Sequence, residues 1–183
     1  LTLGPGGRDD ARVIELLARD LHVHYGFVFL LEEDGAMPEL ERQGQENGLL
    51  VTGGTDGTLL MTTGLHTGAV PFRVEWHASE PPGDDAWQEV VEASVEITAP
   101  RLMVLAFEDG GAFTAPRLGW HRARYLATEM DAGRDMDTAL PPLTAPDRYV
   151  LQLWPAPPAP DRVVTVTSEI AAYWHGVARD RSA

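Results

Sequence analysis

The segment Tyr149-Val-Leu-Gln-Leu-Trp-Pro-Ala-Pro-Pro-Ala-Pro-Asp161 decides the fold, because an apolar run meets four prolines in six residues. Proline donates no ladder hydrogen bond and fixes its own φ, so the strand that begins at Tyr149 must stop at Trp154. Working outward, seven other segments carry the period-two alternation of short strands, separated by glycine- and proline-rich turns.

Leu21 to Leu31 alternates Leu21, Val23, Tyr25, Phe27, Phe29 and Leu31 on one face, which predicts one long half-buried strand. Leu49 to Thr52 and Thr58 to Thr63 flank Asp56-Gly57, a pair suited to φ > 0, and predict a hairpin. Ala69 to Ala78 sets Val70, Phe72, Val74 and Trp76 against Pro71, Arg73, Glu75 and His77, with Pro71 pointing to an edge strand or a bulge. Val91, Ala93, Val95 and Ile97 alternate with Glu92, Ser94 and Glu96, so this strand is expected to turn its carboxylates to water. Leu102 to Phe107, apolar on both faces, is expected to be central. In Trp120 to Thr128 the set His121, Ala123, Tyr125 and Ala127 is expected to face the core.

Helical signals are confined to the ends. Asp9 to Asp20 carries Val13, Ile14, Leu16 and Leu17 near a 3.6-residue spacing, and Ser168 with Glu169 starts a helix through Trp174. The expected architecture is therefore mainly β, an antiparallel β-sandwich of jelly-roll type with short peripheral N- and C-terminal helices. Its domain plan is a helical extension over 1–20, a sandwich over 21–160 and a tail with a short helix over 161–183. No internal repeat appears.

The chain has no cysteine, so disulfides, thiolate metal sites and cysteine nucleophiles are absent, which fits a reducing compartment and a cytoplasmic location. No apolar run approaches the roughly 20 residues of a membrane-spanning helix, and no membrane partner is expected. Twenty-eight carboxylates oppose 14 cationic side chains, all of them arginine, for a formal charge of -14. That field repels phosphates, so direct nucleic-acid binding is disfavoured, and it attracts basic proteins or simply keeps the domain dispersed.

Catalytic signals are thin. The four serines, Ser79, Ser94, Ser168 and Ser182, lie in no Gly-x-Ser-x-Gly elbow. His22 and His24 alternate on one strand and project together, as in several metal-binding barrels, which leaves a jelly-roll metal or small-ligand enzyme as an alternative; otherwise no cofactor is expected. Asp131, Asp135 and Asp137 share a loop but lack the spacing of a calcium-binding loop. Arg122 and Arg124 share a face and predict an arginine–carboxylate ladder with neighbouring strands, or, if unpaired, an anion site. Trp87 and Trp154, beside turn and proline segments, are the tryptophans expected to touch a partner, together with Arg122 and Arg124. An exposed edge strand makes a structural homodimer a further alternative.

The order Tyr25-Gly-Phe-Val-Phe29, Val70-Pro-Phe-Arg-Val74, Val104 to Phe107, the Gly119-aromatic strand start and Tyr149-Val-Leu-Gln-Leu-Trp-Pro155 resembles the ComJ-like family of small bacterial proteins. The resemblance covers about Leu21 to Ala159. Arg122-Ala-Arg124 and the terminal Trp-Pro-Ala-Pro also resemble uncharacterised actinobacterial proteins of similar length. A ComJ-like identity implies a β-sandwich that performs no chemistry and binds a protein partner, such as a basic nuclease, as an inhibitor or immunity-type factor.

Overall fold

The structure, a computed structural model, describes residues 13–35, 42, 44–52 and 57–180. The expected breaker at Gly4 and the turn residues up to Asp56 lie outside them. Twelve strands and two helices run in the order β1 (Val13–Val23), β2 (Phe27–Glu32), β3 (Leu50–Thr52), β4 (Leu59–Thr62), β5 (Thr67–His77), β6 (Glu89–Ile97), β7 (Arg101–Ala106), β8 (Asp109–Thr114), β9 (Gly119–Thr128), α1 (Met130–Met136), β10 (Thr138–Ala139), β11 (Arg148–Pro155), β12 (Arg162–Thr165) and α2 (Glu169–Arg179).

They form two sheets, one ordered β1-β5-β11-β9-β6-β12 with β10 beside β5, the other β3-β4-β2-β7-β8. Leu21, Val70, Phe72, Val74, Val91, Ala123, Tyr125 and Leu151 from the large sheet meet Val28, Leu30, Leu59, Met61, Leu102 and Val104 from the small one in a single buried core. This is a β-sandwich, mainly β as the alternation predicts. The core-facing set Ala123, Tyr125 and Ala127 is buried as expected, and His121 with it. Tyr125 and Tyr149 stack with ring centroids 5.6 Å apart.

Several expectations are corrected. Val13–Val23 is a strand, not part of a helix, and the cause is visible in its register: Leu16 is an extra residue between the Glu15–Glu75 and Leu17–Val74 pairs. A bulge breaks period-two alternation and leaves a spacing that mimics a helix. The long strand expected over 21–31 is two, divided by a turn in which Tyr25 and Gly26 both have positive φ, 62° and 69°. Across it the buried set changes from Leu21 and Val23 to Val28 and Leu30 as the chain passes between sheets.

The sandwich is not wholly antiparallel, since β11 and β10 both run parallel to β5. Pro71 lies inside the large sheet and not on an edge. It pairs with Asp20 of β1, and on its other flank falls between the β10 partner Gly68 and the first β11 partner Phe72. Strand β7 is internal to the small sheet, although Met103 and Leu105 are only half-buried.

The helices are α1 and α2. Ser168 caps α2 as predicted, its hydroxyl accepting from Ala171 N–H at 3.3 Å, and the helix runs on to Arg179. Asp131 and Asp135, expected in a loop, lie in α1, and Asp131 also serves α2: it accepts from the Glu169 and Ile170 N–H groups, each at 2.9 Å. No helix among the described residues is long and apolar enough to cross a membrane.

Candidate functional site

The outer face of the large sheet gathers most of the residues singled out by sequence. Strand pairing aligns Glu15, Glu75, Gln152, Arg124, Glu92 and Arg162 in one row across β1, β5, β11, β9, β6 and β12. The adjacent row reads Ala18, Arg73, Val150, Leu126, Val90. The first row is a polar ladder and the second, past Arg73, is an apolar floor.

At the centre of the ladder Glu92 is 2 % exposed, against the expectation that it faces water. Its carboxylate accepts from Arg122 Nε at 3.2 Å, Arg124 Nε at 2.9 Å and Arg162 Nε at 2.9 Å. Burial pushes the Glu92 carboxyl up, but the hydrogen bonds from Arg162, Arg124 and Arg122 together outweigh that and hold it below its ordinary value. Glu92 is covered because the proline-rich crossover passes over the sheet there and Arg162, its neighbour on β12, reaches back to it. Arg122 clamps that crossover by donating to the carbonyls of Ala159 (2.9 Å) and Pro160 (2.8 Å), while Ser94 Oγ accepts from Ala159 N–H at 3.0 Å.

Arg124 works in the opposite direction along the sheet. It donates to the Pro81 carbonyl at 3.0 Å and to the Glu80 carboxylate at 3.0 Å, fixing the start of the loop between β5 and β6. Its guanidinium also lies 5.0 Å from the Trp154 ring, which is buried. Arg122, Arg124 and Trp154 are thus brought together, as a lattice beneath the surface. The predicted arginine–carboxylate ladder is present, and both arginines are paired.

Trp87 stands at the surface. The loop that Arg124 holds carries exposed Asp84 and Asp85 and delivers the half-buried Trp87 onto Val90, Leu126 and Val150, a small apolar cluster separate from the core. Arg148 lies over the Trp87 ring at 5.4 Å. Two clefts meet at Trp87, Arg73 and Val150: one of about 320 Å³ on the Arg124 side and one of about 620 Å³ on the side of Arg19, Asp20 and Pro71.

His22 and His24 lie elsewhere, at the end of β1. His22 is exposed, and its N–H donates to Asp109 at 2.8 Å. His24 Nδ1 and His66 Nδ1 both meet Thr67 Oγ1, at 2.9 and 2.8 Å. Among the described residues no group of three histidine, aspartate or glutamate side chains is arranged to hold a metal ion.

Two buried histidines are held by hydrogen bonds, His121 in its expected core-facing place and His175 with no distinct sequence signal. His121 accepts from Trp76 Nε1–H at 3.3 Å and meets the Gly119 carbonyl through Nδ1 at 2.8 Å, the two bonds of a neutral ring; burial holds its pKa down. His175 of α2 accepts from Gly48 N–H at 2.9 Å, and burial lowers its pKa to about 4.

The fold defines the class: an acidic two-sheet sandwich with a ComJ-like fold. The crystal structure of ComJ, inhibitor of the DNA degrading activity of NucA, from Bacillus subtilis, superposes with a TM-score of 0.56 at 12% identity, covering 80% of this chain and 100% of that one. A second structure, described as crocagin biosynthetic gene J, gives 0.51 at 10% identity, covering 79% of this chain and 98% of that one. At these identities the likeness is one of fold. No protein-family model and no curated protein matches the sequence.

Proposed function

We propose that this chain is a non-enzymatic, protein-binding β-sandwich, an acidic inhibitor or immunity-type factor whose target is a basic protein, a nuclease above all. The observation that carries the reading is the superposition on a nuclease inhibitor over that protein's entire length. Charge supports it: a net charge of -14 disfavours direct contact with DNA and favours encounter with the basic surface of a protein that binds DNA. The outer face supplies a site of suitable chemistry, in which Trp87 contacts the partner, Asp84 and Asp85 flank it, and Arg122, Arg124 and Trp154 hold the surface in shape.

The test is inhibition. Purified chain added to the DNA-degrading activity of a source-organism extract is expected to protect plasmid DNA in a saturable way. Trp87→Ala is expected to weaken protection about tenfold while leaving the thermal midpoint within a few degrees. Unchanged DNA degradation at saturating protein, with no complex on gel filtration, refutes the reading.

A further inference from the structure

The end of the sandwich that holds His22 and His24 carries a feature the proposed site does not use. The connection from β1 to β2 turns at Tyr25-Gly26, between the bridged pair His24 and Phe27, and the β7–β8 hairpin turns at Phe107-Glu108, with Ala106 and Asp109 paired across it. Tyr25 and Phe107 both lie in the left-handed region, at φ 62° and 54°. Turns of this kind prefer glycine, asparagine or aspartate where φ is positive, and bulky side chains are strained there. The strained side chains are also the exposed ones, at 58% for Tyr25 and 57% for Phe107.

They are not scattered. Tyr25 and Phe107 lie 6.2 Å apart, His24 lies 4.1 Å from Tyr25 and 4.9 Å from Phe107, and His66 lies 5.4 Å from Tyr25. Nearby, β10 pairs with the start of β5, and the segment after it exposes Leu140 and Leu143 at 51% and 58%. Exposed carboxylates Glu108 and Asp137 flank the same end, Asp137 through its carbonyl, which accepts from His66 N–H at 3.0 Å. Strained exposed aromatics flanked by Glu108 and Asp137 form an aromatic tip, and Arg134, beside Asp137 on the cleft that Tyr25 lines, is ion-paired with Asp131 and Asp135. Strain of this sort persists where function requires it, and buried aromatic anchors dominate protein interfaces.

We propose that the Tyr25–Phe107 tip is the anchor that enters a concave, arginine- or lysine-lined cleft on the partner protein, a proposal that rests on the inhibitor reading above. The placement fits insertion, because both aromatics sit on two-residue turns at one end of the sandwich and are more than half exposed. The chemistry fits a basic cleft: aromatic faces and carboxylates both attract guanidinium and ammonium groups. The tip is continuous with the outer-face cleft along β5, since Pro71 at the cleft margin is only three residues from Gly68, about 10 Å of strand. Trp87 then contacts the rim of the partner while the tip fills its cleft.

The test uses Phe107→Gly and Tyr25→Asn, which give each turn a residue its backbone favours, so folding is retained. The probe is the basic fraction of source-organism proteins held by a cation exchanger, assayed for plasmid cleavage. Each substitution is expected to raise the concentration needed for protection by at least about tenfold, with a thermal midpoint at or near that of the unaltered chain. Full protection by both variants overturns the anchor and leaves the inhibitor reading standing. Absence of protection by the unaltered chain removes that reading and the anchor with it. A dimer seen by light scattering that either substitution dissolves makes the occupant a second copy, and also overturns the proposal.

Discussion

Replacing Glu92 by glutamine tests whether the outer face is braced by one shared carboxylate. Side-chain exposure is 2% for Glu92, 7% for Arg122 and 8% for Arg124, so these two ion pairs are buried, whereas Arg162 is 56% exposed. Glutamine keeps the volume, removes the charge and turns donors toward guanidinium groups. Stranding a buried charge costs about 3–5 kcal/mol, and an exposed partner such as Arg162 adds at most about 1 kcal/mol. Arg122 retains Ser94, Ala159 and Pro160 as acceptors and Arg124 retains Glu80 and Pro81, which places the loss at the lower end, about 3 kcal/mol. For a chain of this length that is a fall of roughly 6–12 °C in thermal midpoint at pH 7.

The acid limb supplies a second check. A carboxyl held below its ordinary value stabilises the fold at pH above that value, 4.5 for glutamate, and the contribution is lost as pH falls through the folded-state pKa. Calorimetric melts of both proteins should therefore differ by a constant amount from pH 7 down to about 5 and converge only in stronger acid. A fall of under about 2 °C at pH 7, or a difference that persists unchanged at pH 2, would show that Glu92 is not the brace.

The remaining expectations concern the join between α2 and the small sheet. His175 accepts a hydrogen bond when neutral, and its folded-state pKa of about 4 is below the unfolded value of 6.5, so the unfolded chain takes up the proton first. Stability is then full above about pH 6.5 and falls by roughly 3 kcal/mol as pH drops toward 4. Urea midpoints across that range should flatten in His175→Gln, and an equally steep fall in the variant would assign the effect to other groups. A Cβ at Gly48 would lie 1.9 Å from the Trp174 carbonyl oxygen, a backbone atom with no cheap way to move. Gly48→Ala should cost about 3 kcal/mol by urea unfolding, whereas Gly83→Ala, with open space at its Cβ, should cost well under 1 kcal/mol.

Inward-facing rows were legible in the sequence because each alternates locally: Val70, Phe72 and Val74, or Ala123, Tyr125 and Ala127, declare their face within a few residues. The N-terminal strand was not, because one extra residue at Leu16 gave it a helix-like spacing. The turn at Tyr25-Gly26 was hidden inside an alternation that continued through it while the buried face changed. Glu92 read as a wet residue because Arg162, which covers it, lies 70 positions away beyond a proline-rich crossover. Trp87 was legible from its place after Pro81-Pro82-Gly83. The tip was not, since Phe107 and Tyr25 meet only when two turns from distant segments share one end of the sandwich.

The absence of lysine acquires a physical meaning once the lattice is seen. Eight of the described arginines are ion-paired with the chain's own carboxylates, and two of them, Arg122 and Arg124, are buried and brace the outer face. One guanidinium can serve several acceptors in a fixed plane, as Arg122 does for Glu92, Ser94, Ala159 and Pro160. An ammonium group has only three donors around a single nitrogen and no planar fork, so it matches four acceptors spread along one plane less well. The surplus carboxylates, Asp84, Asp85, Glu108 and Asp137 among them, are then left at the outer loops and hairpin ends. Buried Arg122 and Arg124 beneath the face and acid at its rim are therefore an arrangement suited to meeting a basic protein surface with a rigid face.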